Sequence, residues 1–347
     1  MENLFNTKYS EDDLEKENIT YWIKDFRKNA KINSIVETKA FNRLYDISFL
    51  GAIDYSDKSE LSKVDRNRAV HSLYVAGIAN FIASERKYDE ELKRHIVAAA
   101  LLHDIGHIPL SHSAEPYIKS KFGYGHHEIG NSLISGKILK KSGLNNVLSK
   151  NFDVLFIKQL LNNETSNDGI DIFSSKINAD TIDGIIRCVE YKGINKTNSL
   201  NRISIARSFF IKDSGYSTIK RLDTLDSFWK TKHFVYQNYI NTKHGVISDK
   251  LSQIFFMEME DINVRDLLLK ESTWKNKYKT LFKWLSGLKN GSIPGCLKEH
   301  EIEYTTRKYE VVKSEESLDK RYINSKQKNK IPAEIYMEYN LINNKSE

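Results

Sequence analysis

Cysteine is nearly absent, with Cys188 and Cys296 the only two in 347 residues. Two thiols make neither a disulfide framework nor a thiolate metal site, so a reducing cytoplasm is the expected setting. No apolar run reaches the roughly 20 residues that cross a bilayer. The opening MENLFNTKYSEDDLEKE is acidic and polar and lacks the apolar centre of a signal peptide. No membrane partner is therefore expected. There is also no glycine-rich phosphate loop of the P-loop or dinucleotide type, no zinc-finger spacing and no internal repeat. What is present suits a folded protein: 40% hydrophobic and 11% aromatic residues can fill a core. The 53 Lys and Arg exceed the 46 Asp and Glu by seven, a surplus that tolerates an anionic substrate without demanding nucleic acid.

The densest chemistry lies in AAALLHDIGHIPLSH, residues 98–112. An apolar helical run ends in His103 and Asp104, and His107 and His112 follow within nine residues. Six of the ten histidines fall between His95 and His127, a concentration that packing alone does not produce. His95, among charged neighbours, is expected at the surface. Adjacent imidazole and carboxylate groups can begin a metal site but cannot complete its coordination, so further ligands must come from elsewhere.

In chain order, residues 1–31 read as a peripheral helical arm. Phe41, Leu44, Ile47 and Leu50 at helical spacing predict a helix over residues 35–50, broken at Gly51. A second helix begins at Arg68 and puts His71 on its apolar side one turn later. A third runs from about Asp89 to Ile105, and a turn-rich passage marked by Pro109 and Pro116 follows. GYGHHEIG then offers His126, His127 and Glu128 at the start of another helix, and residues 152–161 suit a buried one. In SSKINADTIDGIIRCVEY, Asp180, Asp183 and Arg187 share one stripe. Asp180 either caps the helix, with Asp183 paired to Arg187, or completes the metal site with that pair bracing it. Residues 226–259 are amphipathic and helical, with Lys232, Lys243 and His244 on an ordinarily solvated face. Two more helices follow, then a strand over residues 301–312, and a polar stretch at residues 313–330 expected to be exposed or mobile.

These segments in this order resemble the HD-domain metal-dependent phosphohydrolase superfamily, and most nearly its deoxynucleoside triphosphate triphosphohydrolase branch. The similarity rests on AFNRLYDISFLG, RAVHSLYVAG, HDIGHIPLSH, GHHE and INADTIDGIIRC. It implies a mainly α fold: a helical HD bundle with additional C-terminal helices and a small β element. It also implies an arm at 1–32, a core at 33–260 and an accessory region with a polar tail at 261–347. By resemblance His71, His103, Asp104 and Asp180 are metal ligands, and Arg68 holds a substrate phosphate. His107, His112 and His127 orient water or protonate the leaving oxygen, with Glu128 adjusting its neighbour; the bland alternative is a polar network bracing the metal helix. Lys232, Tyr239 and Lys243 correspond loosely to a later phosphate-binding helix. The ligand types suit a first-row divalent ion (Mn, Fe, Zn or Ni), with a second, carboxylate-bound Mg allowed. The chain departs from the branch at Phe49, Thr181, Gly184 and Cys188, where groups that grip the triphosphate and sense the sugar usually stand. The expected substrate is a nucleotide, best a dNTP; a cyclic or single-stranded nucleic acid is the alternative, and a non-catalytic nucleotide sensor a third. Homo-oligomers and an allosteric nucleotide are further expectations.

Overall fold

In this computed structural model the described residues are 15–56, 65–138, 143–164, 166–191, 193, 200–213, 215–292, 294–298 and 300–332. The helix α4 (Arg68–Glu85) forms the axis. Its sequence is apolar almost all round, so nearly every side chain from Arg68 to Ala83 is buried. Asn67 starts it by accepting a 3.0 Å hydrogen bond from the Val70 amide. Among the short helices that precede it are α1 (Ile19–Arg27), α2 (Ala30–Val36) and α3 (Lys39–Arg43). Trp22 and Phe26 bury one face of α1. At Gly77 of α4 an added Cβ would sit 2.9 Å from Ile23 Cγ1, which shows how closely α1 approaches. The described part of the N-terminal arm is thus packed into the core.

The helix α5 (Glu90–Leu102) lies along α4 and begins at Asp89, whose carboxylate takes the amides of Glu91 and Leu92. It ends three residues earlier than its pattern suggests, and His103 closes it. Four helices continue the bundle: α6 (Ser111–Phe122), α7 (His126–Ile134), α8 (Leu144–Asn151) and α9 (Val154–Asn162). After them come α10 (Ala179–Tyr191), α11 (Arg202–Phe210), α12 (Thr218–Val235), α13 (Lys243–Glu258), α14 (Glu271–Lys277) and α15 (Lys279–Leu288). The protein is mainly helical with one two-stranded antiparallel sheet, as the sequence leads one to expect. That sheet pairs β1 (Glu301–Val311) with β2 (Tyr322–Pro332), from Glu301 opposite Pro332 to Val311 opposite Tyr322. A continuous buried core runs from Ile19 to Tyr322, across both 32/33 and 260/261.

Three local expectations are corrected. The stretch 35–50 is not one helix: the Thr38 hydroxyl accepts from the Phe41 amide and restarts the chain as α3, a local bond that competes with continuing α2. Pro116 lies inside α6 and does not mark a turn. His95 is buried, with Nδ1 2.8 Å from the Glu91 carbonyl oxygen and Nε2 accepting from the Asp153 amide at 2.8 Å. The polar stretch 313–330 is mostly exposed, as expected, and its second half, from Tyr322 on, forms most of β2, because a few anchors suffice to order it. Arg321 donates to both oxygens of Asp226 at 2.8 and 2.7 Å, and the Tyr322 hydroxyl donates to the same carboxylate. The Tyr322 ring packs on Trp229 of α12.

Gly106 sets how the loop after Asp104 meets α7. A Cβ there would lie 2.0 Å from the His126 carbonyl oxygen and 2.4 Å from the Gly130 amide nitrogen, both rigid backbone. Gly106→Ala should therefore lower stability by about 1–3 kcal/mol. Denaturant unfolding checks this; an unchanged midpoint would contradict the close contact.

Candidate metal centre and its cavity

Three helices deliver four groups to one point. His71 sits one turn into α4, His103 and Asp104 follow the end of α5, and Asp180 lies in the first turn of α10. His71 Nε2 is 3.0 Å from Asp180 Oδ1, 3.3 Å from His103 Nε2 and 3.6 Å from Asp104 Oδ2. The outer nitrogens are occupied. His103 Nδ1 donates to the Ala100 carbonyl oxygen at 2.8 Å, and His71 Nδ1 faces Asp183 Oδ2 at 2.6 Å. With both Nδ1 atoms protonated, each Nε2 turns a lone pair inward toward two carboxylates. Four acceptors without a donor repel one another unless a proton or a cation lies between them. Imidazole and carboxylate together are ligands of a first-row divalent ion, so the residues present fit such a metal.

Asp183 holds this arrangement from behind. It is fully buried, and it accepts from Arg187 Nε at 2.8 Å and Arg202 Nε at 2.5 Å. Burial opposes its charge, but Arg202 and Arg187 outweigh that and keep its pKa well below the ordinary carboxylate range. At the Asp180 stripe the expected pair forms and the expected Asp180 cap does not. Asp183 does pair with Arg187 and also orients His71, while the α10 cap is Asn178, which accepts from the Thr181 amide at 2.8 Å. For His71, burial is again outweighed, here by Asp180 and Asp183, and its pKa is raised.

A second imidazole group adjoins the first. One ring nitrogen each from His107, His112 and His126 lies within 4.8 Å of the others, and His107 Nε2 is 3.2 Å from Asp104 Oδ1. Burial, then Arg68, pushes the His107 pKa well below its usual value, so this ring is neutral. Glu115 of α6 holds the other two: its carboxylate faces His112 Nδ1 at 3.1 Å and His126 Nδ1 at 2.5 Å, and takes the His126 amide at 2.8 Å. His127 is exposed beside His126 and lines the cavity. Glu128 accepts from the Gly125 amide and starts α7. Sequence reasoning named His126 but gave the role to its neighbour His127, and it missed Glu115. The signal was available in the i, i+3 spacing of His112 and Glu115 on one helical face.

Arg68 is buried and fully engaged, at 2.7 Å from Asp104 Oδ2, 3.1 Å from Ser111 Oγ and 2.7 Å from the Phe49 carbonyl oxygen. It lines two cavities that share the centre, of about 990 and 340 Å³. Asp180, His112, His126 and His127 line both. Thr181, Gly184 and Cys188 give the larger one an uncharged wall, and a Cβ added at Gly184 would meet only Phe49, at 3.7 Å. Lys232 lines it as well. Tyr239 and Lys243 are not among the described residues lining it, although Tyr236, Ile240 and Asn241 of the same stretch are. Arg307, Tyr309 and Asn324 of the hairpin complete it; the hydrogen-bond partners of Arg307 and Tyr309, Asn241 and His233, lie 66 and 76 residues away, and no local motif marks them.

Residues 68–165 match the family model described as HD domain. That segment spans α4 to α9 and carries His71, His103 and Asp104; Asp180 lies beyond it. An uncharacterized protein of Mycoplasma pneumoniae is 27% identical over 266 residues, 71% of this chain and 59% of the relative. An uncharacterized protein of Bacillus subtilis is 26% identical over 194 residues, 55% and 42% of the two chains. A deoxyguanosinetriphosphate triphosphohydrolase-like protein of Vibrio cholerae is 41% identical over 83 residues, 23% of this chain and 18% of that one. The chain spans about half the length of the first curated relatives it matches. A solved structure of a hypothetical protein from Aquifex aeolicus shares the fold, with a TM-score of 0.64 at 14% identity over 90% of this chain and 95% of that one. No helix among the described residues is long and apolar enough to cross a membrane.

Two outcomes follow for ion binding. Asp183→Asn removes the charge that orients His71 and should weaken Mn affinity about 10–100-fold; calorimetric titration measures it, and unchanged affinity would refute the bracing role. Because Asp180 and Asp183 raise the His71 pKa, the ion-free protein keeps a proton there to higher pH than an ordinary histidine, and a cation must displace it. Mn affinity should therefore fall as pH drops through the His71 titration and level off above it, read from the same titration at several pH values.

Proposed function

We propose that the chain is a metal-dependent phosphohydrolase acting on nucleotides, with a dNTP hydrolysed to deoxynucleoside and triphosphate as substrate and reaction. The observation that carries this reading is the inward-facing acceptor set of His71, His103, Asp104 and Asp180 beside a large cavity lined by both cations and carboxylates. When bound, a divalent ion supplies Lewis acidity and lowers the pKa of nearby water. Arg68 fixes Asp104 and adds positive charge where a phosphate would lie. Water attacks the α-phosphorus, the bond to the 5′-oxygen breaks, and that oxygen needs a proton. His112 and His126, each held through Nδ1 by Glu115, are placed to deliver one. The neutral His107 packs between them and Asp104.

The second cavity favours one other reading. With about 340 Å³ on its own side of the centre, it has room for a group beyond the scissile phosphate, as in a cyclic or single-stranded phosphodiester.

Purified protein with Mn or Mg and a panel of dNTPs should release deoxynucleoside and triphosphate, resolved by chromatography. Liberated 5′-mononucleotides would transfer the assignment to the diester reading. If dNTPs, cyclic nucleotides and oligonucleotides all stay intact, the hydrolase proposal fails. His103→Ala combined with Asp104→Ala should abolish both bound metal and turnover in a protein that keeps its helical circular dichroism.

A further inference from the structure

Resting on the hydrolase reading, in which Arg68 meets a substrate phosphate, we propose that Glu271 of α14 is a positioning residue for Arg68. It lies outside the HD match and lines neither cavity at the centre. It acts by fixing the two segments that aim the guanidinium.

The partners of Arg68 are of two kinds. Nη1 goes to Asp104 of the centre at 2.7 Å. Nε goes to Ser111 Oγ at 3.1 Å and Nη2 to the Phe49 carbonyl oxygen at 2.7 Å. Phe49 and Ser111 each directly follow a residue that Glu271 holds. Glu271 Oε2 accepts from the Ser48 amide at 3.1 Å, the Ser48 hydroxyl at 3.0 Å and the Leu110 amide at 2.8 Å, while the Tyr55 hydroxyl donates to Oε1. Ser48 and Leu110 lie 223 and 161 residues away from it in the chain. The Ser111 hydroxyl donates to the Ser48 carbonyl oxygen at 2.6 Å and joins the two segments to each other.

These segments need an outside hold. Leu110 and Ser111 take φ of +60° and +45°, a conformation that persists in L residues only where the surroundings impose it. At Gly51 an added Cβ would lie 2.3 Å from the Leu110 carbonyl oxygen, so the two segments touch through their backbones. Glu271 is 1% exposed, and among the described residues no Lys or Arg forms an ion pair with it. A buried carboxylate is costly unless donors replace its lost water, and here the donors on Oε2 all come from the two segments. Bonds to a charged acceptor are the strong ones. Without them the Phe49 carbonyl and the Ser111 hydroxyl lose their places, and Arg68 keeps only Asp104. Metal affinity then survives while anion affinity falls.

The test is calorimetric titration of the full chain with Mn, then with orthophosphate at saturating Mn, beside the unfolding midpoint of each variant. Glu271→Leu should weaken orthophosphate about tenfold, the weight of one charge-assisted hydrogen bond, and leave Mn affinity within about threefold. Glu271→Gln should recover most of the loss, because its carbonyl oxygen can still take both amides while its NH2 turns to the Tyr55 hydroxyl. Tyr55→Phe, which removes a donor to the same carboxylate but holds neither segment, should lower the midpoint and spare orthophosphate. If Glu271→Leu does not fold, Ser111→Ala cuts the link between Ser48 and Arg68 and should show the same loss. Orthophosphate affinity within about twofold of the parent in the well-folded variant would overturn the proposal. So would an equal loss in Tyr55→Phe, or a parent that binds no orthophosphate. If dNTPs are hydrolysed with an unaltered KM in Glu271→Leu, the positioning role falls while the hydrolase reading stands. If the parent consumes no nucleotide but orthophosphate affinity falls as stated, the positioning role stands and the hydrolase reading falls.

Discussion

The buried carboxylate of Asp183 is the constraint on which the rest of the centre depends. It joins three helices: its own α10, α4 through His71, and α11 through Arg202. A lone carboxylate in that position would be prohibitively desolvated. Two guanidinium groups and one imidazole share the charge, so the group stays ionised and the His71 ring has one orientation. Everything that faces inward follows from that ring, because a rotated His71 would neither meet Asp180 nor leave its Nε2 opposite His103.

The reactive groups cluster at helix ends, and this has a chemical benefit. His103 closes α5, and Asp180 lies in the first turn of α10, where the unpaired amides of a helix start favour negative charge. The loop that links the two imidazole groups is held from a distance. Leu110 and Ser111 both take positive φ, +60° and +45°, a conformation that L residues seldom adopt. Glu271 of α14 accepts from the Leu110 amide at 2.8 Å and from the Ser48 amide at 3.1 Å, and Ser111 Oγ reaches Arg68 at 3.1 Å. The C-terminal region therefore supports the loop that orients Arg68 and His112, as well as supplying the hairpin.

The adjacent His103 and Asp104 were legible in the sequence itself, the distant His71 and Asp180 were joined to them by the family resemblance, and residues placed by long-range packing alone were not legible. His71, His103, Asp104 and Asp180 do meet, and so do Arg68 and Asp104. His126 in place of its neighbour His127 was undecidable from the string HHE. The choice turns on which ring stacks against His107, at 4.1 Å, and that depends on how Gly106 lets α7 approach. Likewise the uncharged Thr181, Gly184 and Cys188 suggest a weakened phosphate pocket when α10 is considered alone. Cations from β1 and α12 lie in the same cavity, and no spacing rule connects them to α10.

By itself the sequence determined the helical character, through apolar periodicity and capping residues such as Asn67 and Asp89, and it determined which side chains can bind a cation, because imidazole and carboxylate chemistry is intrinsic. It also determined the small sheet's first strand. Only the tertiary structure decided that the polar stretch after it pairs as β2, that His95 is interior, and that Arg307 of β1 lines the same cavity as Asp180. The physical reason is the same in each case. A polar segment of low hydrophobicity becomes ordered when a few distant anchors, here Asp226 and Trp229, lower its free energy enough to offset the lost chain entropy, and such anchors lie outside any local window.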